Sequence, residues 1–271
     1  MSRISLSTGW LPRLKERPFY ELSSVIDMIK RFSKISQADG FEFALLPEWD
    51  CENPPLTPTS ATSGCEKHAI EEILAPLVCQ DFSILSVHAN RDVGSYLCSG
   101  EPEKVAKGIK LMDESLRFTQ SIKSGICVFH FWDPWKKDLD LPFLKSVYDK
   151  FQIRYPRIEI SIENIPTLNR HMSPYQLMRS FRYKTLDLKW ASLADEFDRF
   201  VDTIEQVDNV HIQGRCQNGI LAPTVGILDY EIALRRIKKA DYGGVFTIEL
   251  EGKVDYDTML RCIDKLREYL K

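Results

Sequence analysis

Short runs of apolar, β-branched and aromatic residues recur along the chain, and the stretches between them carry apolar positions three and four residues apart. The runs lie at 4–7, 41–45, 82–87, 125–129, 158–162, 185–188, 210–212 and 245–250. Each has the length of a strand, and Asp39-Gly40 before the second is a turn that fits a helix-to-strand connection. The spacing predicts helices over 21–35, 69–78, 105–122, 230–240 and 256–270. In the third of these, Val105, Ile109, Met112, Leu116 and Phe118 fall on roughly one side. Strands alternating with helices imply parallel pairing, because parallel neighbours need a long crossover. Eight strands in 271 residues predict closure into a single (β/α)8 TIM barrel spanning 1–271. An open doubly wound sheet would carry a Gly-rich phosphate loop after its first strand, and Ser7-Thr8-Gly9-Trp10 is not one. The longest irregular stretch, 47–64, follows the second strand and would overhang the C-terminal mouth of such a barrel.

Charge and cysteine content narrow the class. A formal charge of −3, from 36 Lys+Arg against 39 Asp+Glu, gives no general pull toward nucleic acid or an anionic membrane. No run of about 18 apolar residues occurs. Strand-like text already at Ile4 to Leu6 leaves no leader to remove, so a cytoplasmic location is expected. Seven cysteines without a CxxC pair read as reduced thiols, with Cys127 a small core residue and Cys51, Cys65 and Cys98 in loops.

Catalytic residues of a parallel barrel gather at the C-terminal ends of its strands. There the chain places His88-Ala89-Asn90, His130, Glu163-Asn164, Asp187, His211, and Glu249-Leu250-Glu251. Three of its five histidines hold such positions. One histidine or carboxylate there is usually structural or solvated. Six converging on one mouth point to a bound cation, which offsets the cost of burying them. Carboxylates with imidazole and no thiolate suit one divalent ion, Mn²⁺, Mg²⁺, Fe²⁺, Co²⁺ or Zn²⁺.

In these residues the sequence resembles the xylose-isomerase-like superfamily, which holds sugar and sugar-phosphate isomerases and epimerases and the endonuclease-IV-type AP endonucleases. Ser86-Val87-His88-Ala89 resembles its third-strand "HA" motif and Ile162-Glu163-Asn164 its fifth-strand "EN" motif. Asp187-Leu188-Lys189-Trp190 stands in the place of "DxxH", and Val210-His211-Ile212 resembles the seventh-strand signal. Tyr242-Gly243-Gly244 followed by Glu249 is similar to the last strand. The resemblance implies a metal quartet of Glu163, Asp187, His211 and Glu249. It also implies pocket-lining roles for His88 and His130 and a substrate contact at Arg215. Strand alternation puts Glu249 and Glu251 on one face, so the pattern alone does not choose between them.

Two departures bear on function. Trp190 replaces the histidine of "DxxH", and the text after His211, Gln213-Gly214-Arg215-Cys216-Gln217, holds no "DxH" pair. Both are ligands of the trinuclear endonuclease cluster. The family's "GEG" turn is also altered, to Thr224-Val225-Gly226-Ile227. The expectation is therefore a metal-dependent isomerase or epimerase acting on a sugar or sugar phosphate, moving a proton through an enediolate with Glu163 and Glu249. His88, His130, Trp190 and Arg215 would hold substrate hydroxyls or a phosphate, and Trp10, Trp132 and Trp135 would offer an apolar wall. The alternatives are an AP-endonuclease-like phosphodiester hydrolase, and a barrel that has lost catalysis and serves in binding. Nucleic acid and membrane are not expected partners, and self-association remains open.

Overall fold

A computed structural model describes residues 2–10, 14, 21–57, 65–169, 171–217, 220–252 and 255–270. Residues 58–64 of the long loop lie outside this set. The barrel strands are β1 (Arg3–Ser7), β2 (Gly40–Ala44), β3 (Ile84–His88), β4 (Ile126–Phe129), β5 (Glu159–Glu163), β6 (Tyr183–Asp187), β7 (Val207–Gln217) and β9 (Val245–Leu250), with a short β8 (Ile220–Ala222) between the last two. Each barrel strand pairs in parallel with its neighbours, and the β6–β7 and β1–β9 pairings close the cylinder. The architecture is the expected (β/α)8 barrel.

Helices α1 (Leu22–Ile35), α2 (Ile70–Cys79), α4 (Pro102–Ser121), α9 (Tyr230–Lys239) and α10 (Tyr256–Leu270) fall where the periodicity placed them. Helix α1 buries Val25, Met28, Ile29 and Phe32, an i, i+3, i+4, i+7 stripe. Helix α4 starts three residues earlier than the apolar pattern, at Pro102, because proline at the first helical position forfeits an N–H that has no partner anyway. Helix α5 (Leu141–Arg154), not among the predicted ones, buries the same kind of stripe, Leu144, Val147, Tyr148 and Phe151. Helices α3 (Val93–Leu97), α6 (Pro174–Met178), α7 (Leu188–Leu193) and α8 (Phe197–Val201) also escaped the periodicity, being six residues or shorter. Such lengths show less than two full turns of pattern. Among the described residues, no helix is long and apolar enough to cross a membrane.

The seventh strand differs most from expectation. Only 210–212 reads as an apolar run, yet β7 extends over 11 residues. Its outer end leaves the cylinder and pairs antiparallel with β8, with Arg215 opposite Ala222. This excursion also corrects the reading of all seven cysteines as thiols. Cys216 and Cys262, on α10, are joined as a disulfide with their Cα atoms 6.7 Å apart, while Cys51, Cys65, Cys79, Cys98 and Cys127 are free. The partners are 46 residues apart in sequence, and only the extension of β7 brings them together.

Strand alternation divides the buried residues into two populations. Outward-facing Ile4, Leu6, Phe43, Phe129, Ile160, Ile162, Leu186, Val210, Phe246 and Ile248 pack beneath the helices in the main core. The inward set is polar: Ser5, Glu42, Ser86, Ser161, Thr185, Asn209, His211 and Thr247 are all fully buried. A separate small cluster of Ile126, Val128 and Val245 plugs part of the interior. Several of these side chains pair across strands. Ser161 Oγ and Thr185 Oγ1 are 2.7 Å apart, and Thr247 Oγ1 donates to Asn209 Oδ1 at 2.9 Å. Such a floor is a costly use of core volume unless it serves the site above it.

Candidate metal centre

The strand register gathers the quartet. Asp187 on β6 and His211 on β7 are Cα partners, and Glu249 on β9 is opposite Gln213 of β7. Glu163 ends β5 and is opposite Thr185. His211 is central: its Nδ1 lies 3.7 Å from Glu163 Oε1 and 3.8 Å from Glu249 Oε2. Ligand-type atoms of Glu163, Asp187 and His211 all fall within 4.8 Å of one another. Glu249 closes a second group of the same span with His211 and Glu42, so it stands at the edge of the centre. Glu251, its rival, is turned elsewhere: it accepts from Lys189 Nζ at 2.5 Å and from the Thr224 hydroxyl.

Local chemistry explains how Asp187 is held. The Asn164 side chain brackets it, accepting from the Asp187 N–H at 2.6 Å and donating to its carbonyl at 3.0 Å. The Glu163-Asn164 pair therefore supplies one residue to the centre and one to its neighbour's backbone. Asp187 also caps α7, with Oδ1 accepting from the Trp190 N–H at 2.9 Å. Its Oδ2, like His211 Nδ1, is buried with no hydrogen-bond partner among the described residues. Buried atoms of this kind are rarely left orphaned, and here two of them face one cluster.

His88 and His130 converge on Glu163 from the other side. Their Nε2 atoms lie 3.2 and 3.1 Å from Glu163 Oε2, and the two rings meet edge to face at 4.9 Å. Burial opposes ionisation of Glu163, but the charges of His130 and His211 outweigh it and hold this carboxyl well below the usual range. Burial, with the charge of Glu163, pushes Asp187 well above its ordinary value, and burial also raises Glu249. Burial would lower His88, yet the hydrogen bond and charge of Glu163 lift it to about 9. Protons thus hold together a cluster of carboxylates too close to ionise jointly. A divalent cation satisfies the same excess charge.

The remaining sequence-predicted residues scatter. Trp190 is half-buried at the start of α7, with the Lys189 ammonium 4.4 Å from its ring centroid. Arg215 is exposed on the β7 extension, and its charge acts on Glu251. Trp10 belongs to the hydrophobic core, and its indole N–H donates to the Ile248 carbonyl at 2.9 Å. Trp132 is buried and donates to the Pro166 carbonyl, whereas Trp135 is exposed. Trp10 and Trp132 are therefore scaffold residues rather than a free apolar wall. A separate cavity of about 510 Å³ lies beside α2 and α4, lined in part by Asp50, His68 and Lys110, and none of the quartet borders it.

Glu42 was missed by sequence reasoning. It sits fully buried in the middle of β2, with Oε2 3.2 Å from His211 Nε2. The available signal was a lone carboxylate between Phe41 and Phe43, two residues that alternation sends to the opposite face.

No family model matches the sequence, and no curated protein matches it. Solved structures do. A D-allulose 3-epimerase from Methylomonas sp. superposes with a TM-score of 0.72 at 13% identity, covering 99% of this chain and 98% of that one. The chain has the (β/α)8-barrel fold of this epimerase. A sugar phosphate isomerase/epimerase from Parabacteroides distasonis matches with a TM-score of 0.61 at 12% identity, over 99% of this chain and 96% of that one. An AP endonuclease, family 2, from Brucella melitensis gives 0.63 at 13% identity, over 98% and 99%. The barrel is thus shared with proteins of both chemistries, and at these identities the likeness speaks for the fold alone.

Proposed function

We propose that this barrel is a divalent-metal-dependent isomerase or epimerase acting on a sugar or sugar phosphate. The observation that carries the reading is the convergence of Glu163, Asp187, His211 and Glu249, with Asp187 Oδ2 and His211 Nδ1 orphaned among them. These four side chains would hold one ion from the Mn²⁺, Mg²⁺, Fe²⁺, Co²⁺ and Zn²⁺ group. Bound there, such an ion supplies Lewis-acid polarisation of a substrate carbonyl and so acidifies the neighbouring C–H.

The protein's own residues move the proton. One of Glu163 and Glu249 takes it from carbon, the C–H electron pair shifts toward the carbonyl oxygen to give an enediolate, and the other carboxyl returns a proton to carbon. Their arrival from different strands, β5 and β9, suits delivery to two positions on one substrate. His88 and His130, which meet at Glu163, would bind hydroxyls beside it, and Trp190 and Arg215 would contact the substrate from the β6–β7 side. A sugar substrate is supported by one similar solved structure, the same Methylomonas epimerase in complex with D-allulose, with a TM-score of 0.65 at 13% identity.

The test combines metal analysis with isotope exchange. Purified protein should carry about one divalent ion per chain. Glu163→Gln should keep the fold but lower turnover by about 10²–10⁴-fold, the usual worth of a general acid–base group, and stop solvent deuterium from entering the substrate carbon. Undiminished deuterium incorporation in that variant would refute the two-glutamate scheme.

A second reading has one observation in its favour. His88, His130 and Glu163 also bring ligand-type atoms within 4.8 Å of one another, a group that would suit a further ion as in a phosphodiester hydrolase. Trp190 and the missing "DxH" pair stand against a full trinuclear cluster. Three zinc ions per chain, with preferential binding to abasic-site DNA, would move the assignment to that class.

A further inference from the structure

His211 turns its two ring nitrogens toward two different sets of residues. Nδ1 faces Glu163 and Glu249 and has no hydrogen-bond partner among the described residues. Nε2 faces away from them, 3.2 Å from Glu42 Oε2. That oxygen is already crowded with donors: Ser86 Oγ donates to it at 2.8 Å, and Asn209 Nδ2 at 2.8 Å. The Asn209 amide is itself oriented, since its Oδ1 accepts from the Thr247 hydroxyl. A fully buried carboxylate is costly to keep, and the proton-transfer scheme makes no use of it.

We infer that Glu42 is a positioning residue: by accepting the Nε2–H of His211, it fixes the ring so that the Nδ1 lone pair is presented to a cation held by the quartet. The inference rests on the metal-site reading. Neutral imidazole carries one N–H, and the nitrogen that keeps it cannot ligate. An acceptor at Nε2 places the proton there and leaves Nδ1 free, as carboxylates commonly do behind metal-bound histidines. Asn209 Nδ2 is 3.0 Å from the same nitrogen and, being a donor, would favour the opposite tautomer if it acted alone. Glu42 decides between them because its oxygen accepts from both.

Zn²⁺ titration of the metal-stripped full chain by calorimetry tests the inference, using wild type, Glu42→Leu, Glu42→Gln and Ser5→Ala. Ser5 is an equally buried barrel residue whose hydroxyl has no partner among the described residues, and its loss should leave affinity unchanged. Glu42→Leu should bind Zn²⁺ about 10–100-fold more weakly than wild type. Glu42→Gln, which keeps a carbonyl acceptor, should recover part of that loss. Wild-type affinity in Glu42→Leu, or a glutamine variant no better than leucine, overturns the positioning role while the metal site stands. Absence of Zn²⁺ binding to wild type overturns the metal site and the inference together. A further measurement needs no variant: ¹⁵N resonances of His211 in the Zn²⁺-loaded wild type should show a protonated Nε2 and a metal-bound Nδ1. The reverse assignment overturns the inference even if both substitutions unfold the chain.

Discussion

The Asp187 carboxylate is divided between scaffold and site. Oδ1 caps α7 through the Trp190 N–H, while Oδ2 is buried and unpartnered beside His211 and Glu163. Asp187→Asn can preserve the cap with its amide oxygen but loses the charge that a cation requires. The expected result is a folded protein of near wild-type circular dichroism that retains no stoichiometric divalent ion after dialysis. Full metal occupancy in that variant would remove Asp187 from the centre. At this scale the sequence was informative where a polar residue ended an apolar run, as at Glu163, Asp187 and His211. Glu249 was legible only as one of two choices; in the structure Lys189 and Thr224 engage Glu251, while Glu249 Oε2 lies 3.8 Å from His211 Nδ1. Glu42 was illegible because its partners, Ser86 and Asn209, lie 44 and 167 residues away.

Elements act through where they end. Strand β7 delivers His211 to the centre, then leaves the cylinder to pair with β8 and carry Cys216 to α10. A link spanning 46 residues restricts the unfolded chain, an effect of about 2–4 kcal/mol for typical disulfides. Cys262→Ser, or reduction of the wild type, should lower stability by about that amount in urea unfolding. An unchanged midpoint would mean that the bond does not form in solution. Helix α3 makes a different contribution: a Cβ at Gly94 would come within 2.6 Å of the Trp132 backbone and 2.7 Å of the His130 carbonyl oxygen. Gly94→Ala should therefore displace the segment carrying His130, lowering Tm in thermal unfolding and raising KM in the folded fraction. The stripes of α1, α4 and α10 were plain in the sequence, whereas α5, also 14 residues long, carries Phe143 and the exposed Ile153 off its buried stripe and was missed. The helices between β5 and β7 were not plain, since six residues or fewer give no stripe to recognise.

Over the whole molecule, the charges buried in the barrel link stability to pH and, if the proposed ion binds, to metal. His88 is lifted from 6.5 to about 9, and Asp187, Glu249 and His211 are raised as well. The folded state therefore holds these protons more tightly than the unfolded chain does. For His88 the resulting stabilisation is complete below pH 6.5 and is lost as pH rises toward about 9. The metal-free protein should show a falling Tm across that window, measurable by differential scanning fluorimetry with chelator present. A divalent ion at 100 times its Kd should add about 2.7 kcal/mol and flatten the decline, because it takes over the charge that the protons balanced. A metal-free Tm that rises from pH 6.5 to 9 would contradict this account. By mass action, metal affinity itself should increase with pH as the ion displaces those protons.

What the sequence determined by itself was the alternation of strand and helix, and with it a parallel barrel whose chemistry gathers at one mouth. Those features depend on local periodicity and on which residue ends each strand, both properties of neighbouring positions. Tertiary structure alone decided the rest. It placed Glu42 behind His211, turned Glu251 toward Lys189, sent Trp10 into the core, and joined Cys216 to Cys262. Each of these depends on barrel register and on the path of β7 beyond the rim. Such distances are set by closure of the whole cylinder, and no window of sequence contains them.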